Sequence, residues 1–221
     1  MTLAILPKRL SAALLLSLST IASASVVEAS STDIGFLSIT NNSGISSSFE
    51  SGLSLSLSDL GGAVSFVFGN TVGDGSIANV YFDGLGLLNF SSATVLSSSG
   101  VSFSLGGSPS NVPSGNTVSF SSDFSVSAAN PKPSNGVNTG ETLTVSFDLT
   151  SGTSFSDVVS GISSGDLRVG LHVISLGSNS ESFVSTLRTD TSVTAVPEPE
   201  TYAMMLAGLG LLGTIARRRN R

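Results

Sequence analysis

Gly161-Ile162-Ser163-Ser164-Gly165 has the spacing of the G-x-S-x-G elbow, in which a strained strand-to-helix turn holds a serine hydroxyl ready to attack an acyl carbon. Ser163 would be the nucleophile and His172, the single histidine of the chain, its base. The surroundings argue against that chemistry. An elbow needs a strand before it and a helix after it, with the acid between Ser and His in chain order. Here Val158, Val159 and Ile162 fall at helical spacing and predict a helix over Ser156–Ser163, in front of the motif. With 24 glycines, and serine the commonest residue, chance readily produces such a match.

His172 lies in Arg168-Val169-Gly170-Leu171-His172-Val173-Ile174. If Val169, Leu171 and Val173 face a core, His172 shares the opposite face with Arg168 and Ile174. A transition-metal site there would need partners that no other His and no Cys can supply. Asp59, Asp74 and Asp83 stand beside or near glycines, where calcium takes loop carboxylates. No ordered ligand series accompanies them, and turn chemistry explains an Asp at such positions without an ion. A sugar-stacking platform needs exposed aromatics. The chain has no Trp and two Tyr, of which Tyr81 falls on the strand face opposite Val80 and Phe82 and is therefore expected outside. No catalytic residue, cofactor or metal is expected, and the chain is not expected to be an enzyme.

The elements behind these residues follow a period of two. Leu53, Leu55 and Leu57 alternate with serines, as do Val64, Phe66 and Phe68 with Ser65 and Val67. Val101–Leu105, Val118–Val126 and Leu143–Leu149 repeat the pattern. Turn signals separate them at Gly61-Gly62, Gly73-Asp74-Gly75, Asp83-Gly84, Gly106-Gly107, Asn135-Gly136 and Ser164-Gly165-Asp166. This predicts an all-β fold, an antiparallel β-sandwich of jelly-roll type, over a domain spanning 25–195. Within it lie 13 of the 15 acids, against Lys132, Arg168 and Arg188. So acidic a domain excludes a nucleic-acid partner, which requires a basic stripe. With no cysteine, it also excludes thiolate chemistry and a disulfide framework.

The two ends carry addresses. Residues 1–24 read as a signal peptide: Lys8 and Arg9, an apolar run from Leu10 to Ile21, then Ala22-Ser23-Ala24 as the small-x-small site of a signal peptidase. At the other end Pro197-Glu198-Pro199 precedes an apolar segment. A transmembrane helix is predicted over 201–216, followed by Arg217, Arg218, Arg219 and Arg221. Such a helix is about 24 Å long, a little short of a bilayer core of about 30 Å, so flanking arginines would snorkel. The arginines keep their end cytoplasmic and place the domain outside.

Tripeptide, apolar segment and arginine cluster, in that order over residues 196–221, resemble the PEP-CTERM sorting signal of Gram-negative bacteria. The resemblance implies recognition by an exosortase, a membrane-embedded protease or transpeptidase, and removal of a transient inner-membrane anchor near Pro197–Pro199. It also implies a final place at the cell surface or in an exopolysaccharide matrix. The function expected is that of a structural or adhesive surface or biofilm protein, with exopolysaccharide as a possible partner. A secreted glycan-binding module is the alternative, and a serine hydrolase a remote one.

Overall fold

The computed structural model describes residues 31–187, apart from 45, 72 and 85. The signal segment with Ala22 and Ala24, the predicted helix at 201–216, and Pro197, Glu198, Pro199, Arg217, Arg218, Arg219 and Arg221 lie outside the described residues.

Alternation builds the strands as expected. In β2 (Leu53–Asp59) the three leucines are buried and the serines between them face outward; in β3 (Ala63–Asn70) Val64, Phe66 and Phe68 are buried. The turn between them suits glycine: Gly61 and Gly62 take positive φ, Asp59 Oδ1 accepts from the Gly61 amide at 2.8 Å, and Leu60 N–H reaches the Ala63 carbonyl at 2.9 Å. The other strands are β1 (Ser31–Ser38), β4 (Ser76–Asp83), β5 (Leu88–Ser97), β6 (Phe103–Leu105), β7 (Phe124–Ala128), β8 (Thr142–Leu149), β9 (Arg168–Leu176) and β10 (Asn179–Leu187). Three short helices join them: α1 (Ser46–Glu50), α2 (Lys132–Asn135) and α3 (Phe155–Ser164). The helix expected over Ser156–Ser163 is α3. It is closed by a Ser154–Asp157 capping box at its start and by Gly165 in the left-handed conformation at its end.

The all-β, antiparallel class holds, but the two stacked sheets of a sandwich are replaced by one. All ten strands form a single sheet in the order β5-β8-β3-β2-β1-β10-β9-β4-β7-β6. β3 and β4 are five strands apart, about 24 Å if the sheet were flat. Yet the Phe66 and Phe82 rings meet edge to face with centroids 5.1 Å apart, and Phe90 of β5 stacks on Phe124 of β7 at 5.3 Å. The sheet therefore curls almost into a barrel, with β5 and β6 at its seam. The reason is β1, which pairs with β2 on one edge and β10 on the other and fuses two half-sheets that would otherwise face each other.

Because β1 and β10 are antiparallel neighbours, with Ile34 opposite Leu187, the domain is entered and left at the same pole. α3 closes that pole with Val158 and Ile162, and α1 closes the opposite one with Phe49. Among the described residues no helix is long and apolar enough to cross a membrane. The strand expected over Val118–Val126 is a correction. Gly115–Val118 is a 3-10 turn, Ser119 has φ +54°, and only Phe124 onward joins the sheet. Two alternating patterns ran together there, one belonging to a turn that folds back over the sheet.

Phe82 is the hub of the core, touching Phe66, Phe68, Phe90, Phe124 and Phe147. Phe82→Ala is expected to cost about 3–5 kcal/mol in denaturant unfolding. Leu96→Ala, at a side chain 68% exposed, should change stability by less than about 0.5 kcal/mol.

Candidate functional site

β9 and β4 present a row of chemistry-bearing residues on the outer face of the sheet, and the connections cover it. His172 stands opposite Ser182 of β10 and Asn79 of β4, and Asn79 in turn stands opposite Ser127 of β7. Asn79, Ser127 and Ser182 are buried although they point away from the core. The cover consists of α2 and the β6–β7 connection. Lys132 of α2 joins both to the sheet, donating to Asn79 Oδ1 at 3.2 Å and to the Ser108 carbonyl at 2.8 Å. His172 sits half-buried beneath it, on the face expected from the sequence. Burial, with the Lys132 charge added, holds its imidazole below the usual histidine range.

Tyr81 is also on the outer face, as the alternation predicted, but it is 0% exposed. Val112 and Phe120 of the β6–β7 connection cover the ring, and its hydroxyl donates to the Pro109 carbonyl at 3.1 Å. Burial pushes the phenol well above its ordinary range. The expected exposure of Tyr81 is therefore overturned: period two assigns a face, but what lies on that face is set by distant chain. Gly170 makes room for the cover. It is the register partner of Tyr81, and a Cβ there would stand 3.0 Å from Phe120 Cζ and 3.4 Å from Val112 Cβ. Arg168 pins the same connection. It forms an ion pair with Asp83, donates to the Val118 and Ser119 carbonyls, and lies 5.3 Å from the Phe120 ring centre. A glycine within an alternating strand, and the run Asn111-Val112-Pro113-Ser114-Gly115, were the signals that could have announced this cover.

Ser163 and His172 are not brought together. Ser163 lies in the last turn of α3 and donates to the Val159 carbonyl at 2.9 Å, while His172 is on the outer face of β9. No strand-turn-helix elbow surrounds the serine. A shallow cleft beside it is lined by Leu87, Asp157, Ser160, Gly161, Ser164 and Asp166. Its carboxylates are engaged locally, Asp157 with Ser154 and Asp166 with Ser164. The three acids are dispersed: Asp59 at the end of β2, Asp74 exposed between β3 and β4, Asp83 at the end of β4 and paired with Arg168. Among the described residues no group of three His, Cys, Asp or Glu side chains is placed to hold a metal ion.

Sequence reading missed Glu181. This carboxylate is buried at the rim opposite the chain ends, where it holds the β1–β2 connection by accepting from Thr40 Oγ1 and the Ser43 amide, each at 2.5 Å. Burial raises its pKa, but the bonds from Thr40, Ser43 and Asn42 outweigh that and leave it lowered.

The remaining chemistry lies in the tail. Residues 195–220 are a PEP-CTERM protein-sorting motif. No curated protein and no solved structure matches the chain. The PEP-CTERM motif covers the Pro-Glu-Pro tripeptide and the arginines through Arg219, one residue earlier at each end than the tail read from the sequence. It assigns the chain to export and exosortase sorting toward the cell surface.

Two outcomes are expected from this arrangement. Gly170→Val, which β propensity alone would favour, should displace Phe120 and cost about 1–3 kcal/mol, while Gly170→Ala needs only a small shift of the ring. Chemical denaturation of both variants checks this. Glu181 has a lowered folded pKa, so its stabilisation is complete above the ordinary glutamate value of about 4.3 and is lost as pH falls through the lower folded value. Melting temperatures from pH 7 to pH 3 should show that acid loss in the wild type and a smaller one in Glu181→Gln.

Proposed function

We propose that this is an exosortase-processed structural or adhesive protein of the bacterial surface or extracellular matrix, without catalysis of its own. The supporting observation is the PEP-CTERM motif at 195–220. In this reading a signal peptidase cuts after Ala24, segment 201–216 holds the chain in the inner membrane with Arg217, Arg218, Arg219 and Arg221 on the cytoplasmic side, and exosortase acts near Pro197, Glu198 and Pro199. The domain in between is residues 25–195.

The fold is compatible with this life history. β1 and β10 bring both extensions to one pole, so the barrel folds outside the membrane while either end is still attached. Its outer surface is rich in hydroxyls and carboxylates, which keeps a cysteine-free exported domain hydrated and repels other anionic surfaces. Ser163, buttressed inside a helical turn, and His172, under a cover, supply no nucleophile–base pair. Tyr81, the aromatic on which a glycan-binding platform would rest, is closed off by Val112 and Phe120.

Intact mass of the protein from its host, with and without the exosortase, tests the proposal. A mature chain beginning at Ser25 and ending near Pro197–Pro199, with the tail retained in the exosortase-deficient strain, is expected. An unshortened C-terminus in both strains would refute exosortase processing.

A further inference from the structure

We propose that His172 is an acid-sensitive release for the cover over β4 and β9, so that protonation of its imidazole opens α2 and the segment at 106–110 away from the sheet. Lys132 of α2 ties the two connections, which come from opposite poles: its ammonium bonds both the Ser108 carbonyl and Asn79 Oδ1. His172 is the cross-strand partner of Asn79. Its Nδ1 is buried and makes no hydrogen bond, which suits a neutral ring that carries its proton on Nε2.

A second proton changes that fit. Nδ1 becomes a donor with no hydrogen-bond partner in place. The ammonium of Lys132 can only donate, so it fixes the Asn79 amide with the oxygen toward itself, and the remaining amide nitrogen, also buried and unbonded, is a donor too. The β6–β7 connection carries one charged residue, Asp123, whose carboxylate accepts from the Gly84 amide at 2.9 Å, near the pole of the chain ends. α2 contributes Lys132, a like charge. β4 and β7 contribute Asn79 and Ser127, and β10 contributes Ser182, all uncharged. The Glu181 carboxylate of β10 belongs to the opposite face, in register with the core residue Val173, and is held by Thr40 and Ser43. Arg168 and Asp83 are paired with each other at the far end of their strands.

A half-buried imidazolium, its Nδ1 sealed from water, is therefore held beside a cation without a counter-charge, and the arrangement is relieved when Lys132 withdraws and water enters. The depressed basicity of His172 is the same penalty read from the closed side. Opening also breaks the bond from Tyr81 to the Pro109 carbonyl, since Pro109 lies in the released segment. Asn79, Ser127 and the Tyr81 hydroxyl then meet solvent. This inference rests on the domain alone and stands whether or not exosortase processes the tail.

Amide hydrogen exchange of the full-length protein in detergent, corrected for the intrinsic pH dependence of exchange, reads the opening. Below about pH 6.5, the ordinary imidazole value, opening of 106–110 and 132–136 should grow about tenfold per pH unit while strands β2, β3 and β8 stay protected. In His172→Gln the pH dependence of these segments should disappear, and in Lys132→Met it should weaken, with the His172 resonance titrating at higher pH. The inference is overturned if the two segments keep their protection down to pH 5, or if the acid response persists in His172→Gln. Cooperative loss of protection throughout the sheet would also overturn it, because the transition would then be global.

Discussion

A single strand with two hydrogen-bonded edges holds the architecture together. β1 lies between β2 and β10, and every other contact across the barrel follows from the closure it allows. Without it, β5-β8-β3-β2 and β10-β9-β4-β7-β6 would be separate sheets held only by side chains. With it, the curl of one continuous sheet brings Phe66 and Phe147 of one half against Phe82 of the other, with centroids 5.1 and 5.0 Å from it. Edge-to-face packing of this kind adds to the burial of large rings and fixes the angle at which the halves meet. In a chain without a disulfide, that aromatic junction is a main source of stability.

The same closure dictates where function can reside. A curled sheet has its inside filled by side chains, so only the outer face, the poles and the seam remain for interactions. Much of the outer face over β4 and β9 is itself covered, by a connection pinned through Arg168 and Phe120 and stitched through Lys132. The cover makes this face a second, small and mixed core, with Tyr81, Val112 and Phe120 apolar and Asn79, Ser127 and Ser182 polar. Buried polar groups need partners, and among the described residues two buried side-chain atoms of this layer, Asn79 Nδ2 and His172 Nδ1, have none.

Domain and tail divide the labour. The PEP-CTERM motif at 195–220 implies exosortase sorting, and the barrel is the folded domain that precedes it. A domain whose first and last strands are hydrogen-bonded neighbours suits that arrangement. Pulling on either extension loads the middle of the sheet, where each strand is paired on both edges, and not a free edge.

Much of this was legible in the sequence, for a physical reason. Strand alternation, the helical spacing of Val158, Val159 and Ile162, the Gly61-Gly62 turn and the sorting tail are local: their energetics involve residues a few positions apart, so spacing and residue type suffice. That is why β2, β3, β8 and α3, and the outward direction of His172, came out as expected. Whether the strands make two sheets or one was not local. It depended on Ile34 meeting Leu187 at the other end of the chain, a pairing that alternation cannot express because it specifies a face and not a neighbour. Tyr81 shows the same division within one residue: its position outside the barrel was written in Val80 and Phe82, while its burial was decided by Phe120, which reaches it across the space left by the missing side chain of Gly170. Sequence by itself determined the class of fold and the address of the protein. Tertiary structure alone decided which surfaces remain open, because covering a face takes contacts between residues far apart in the chain.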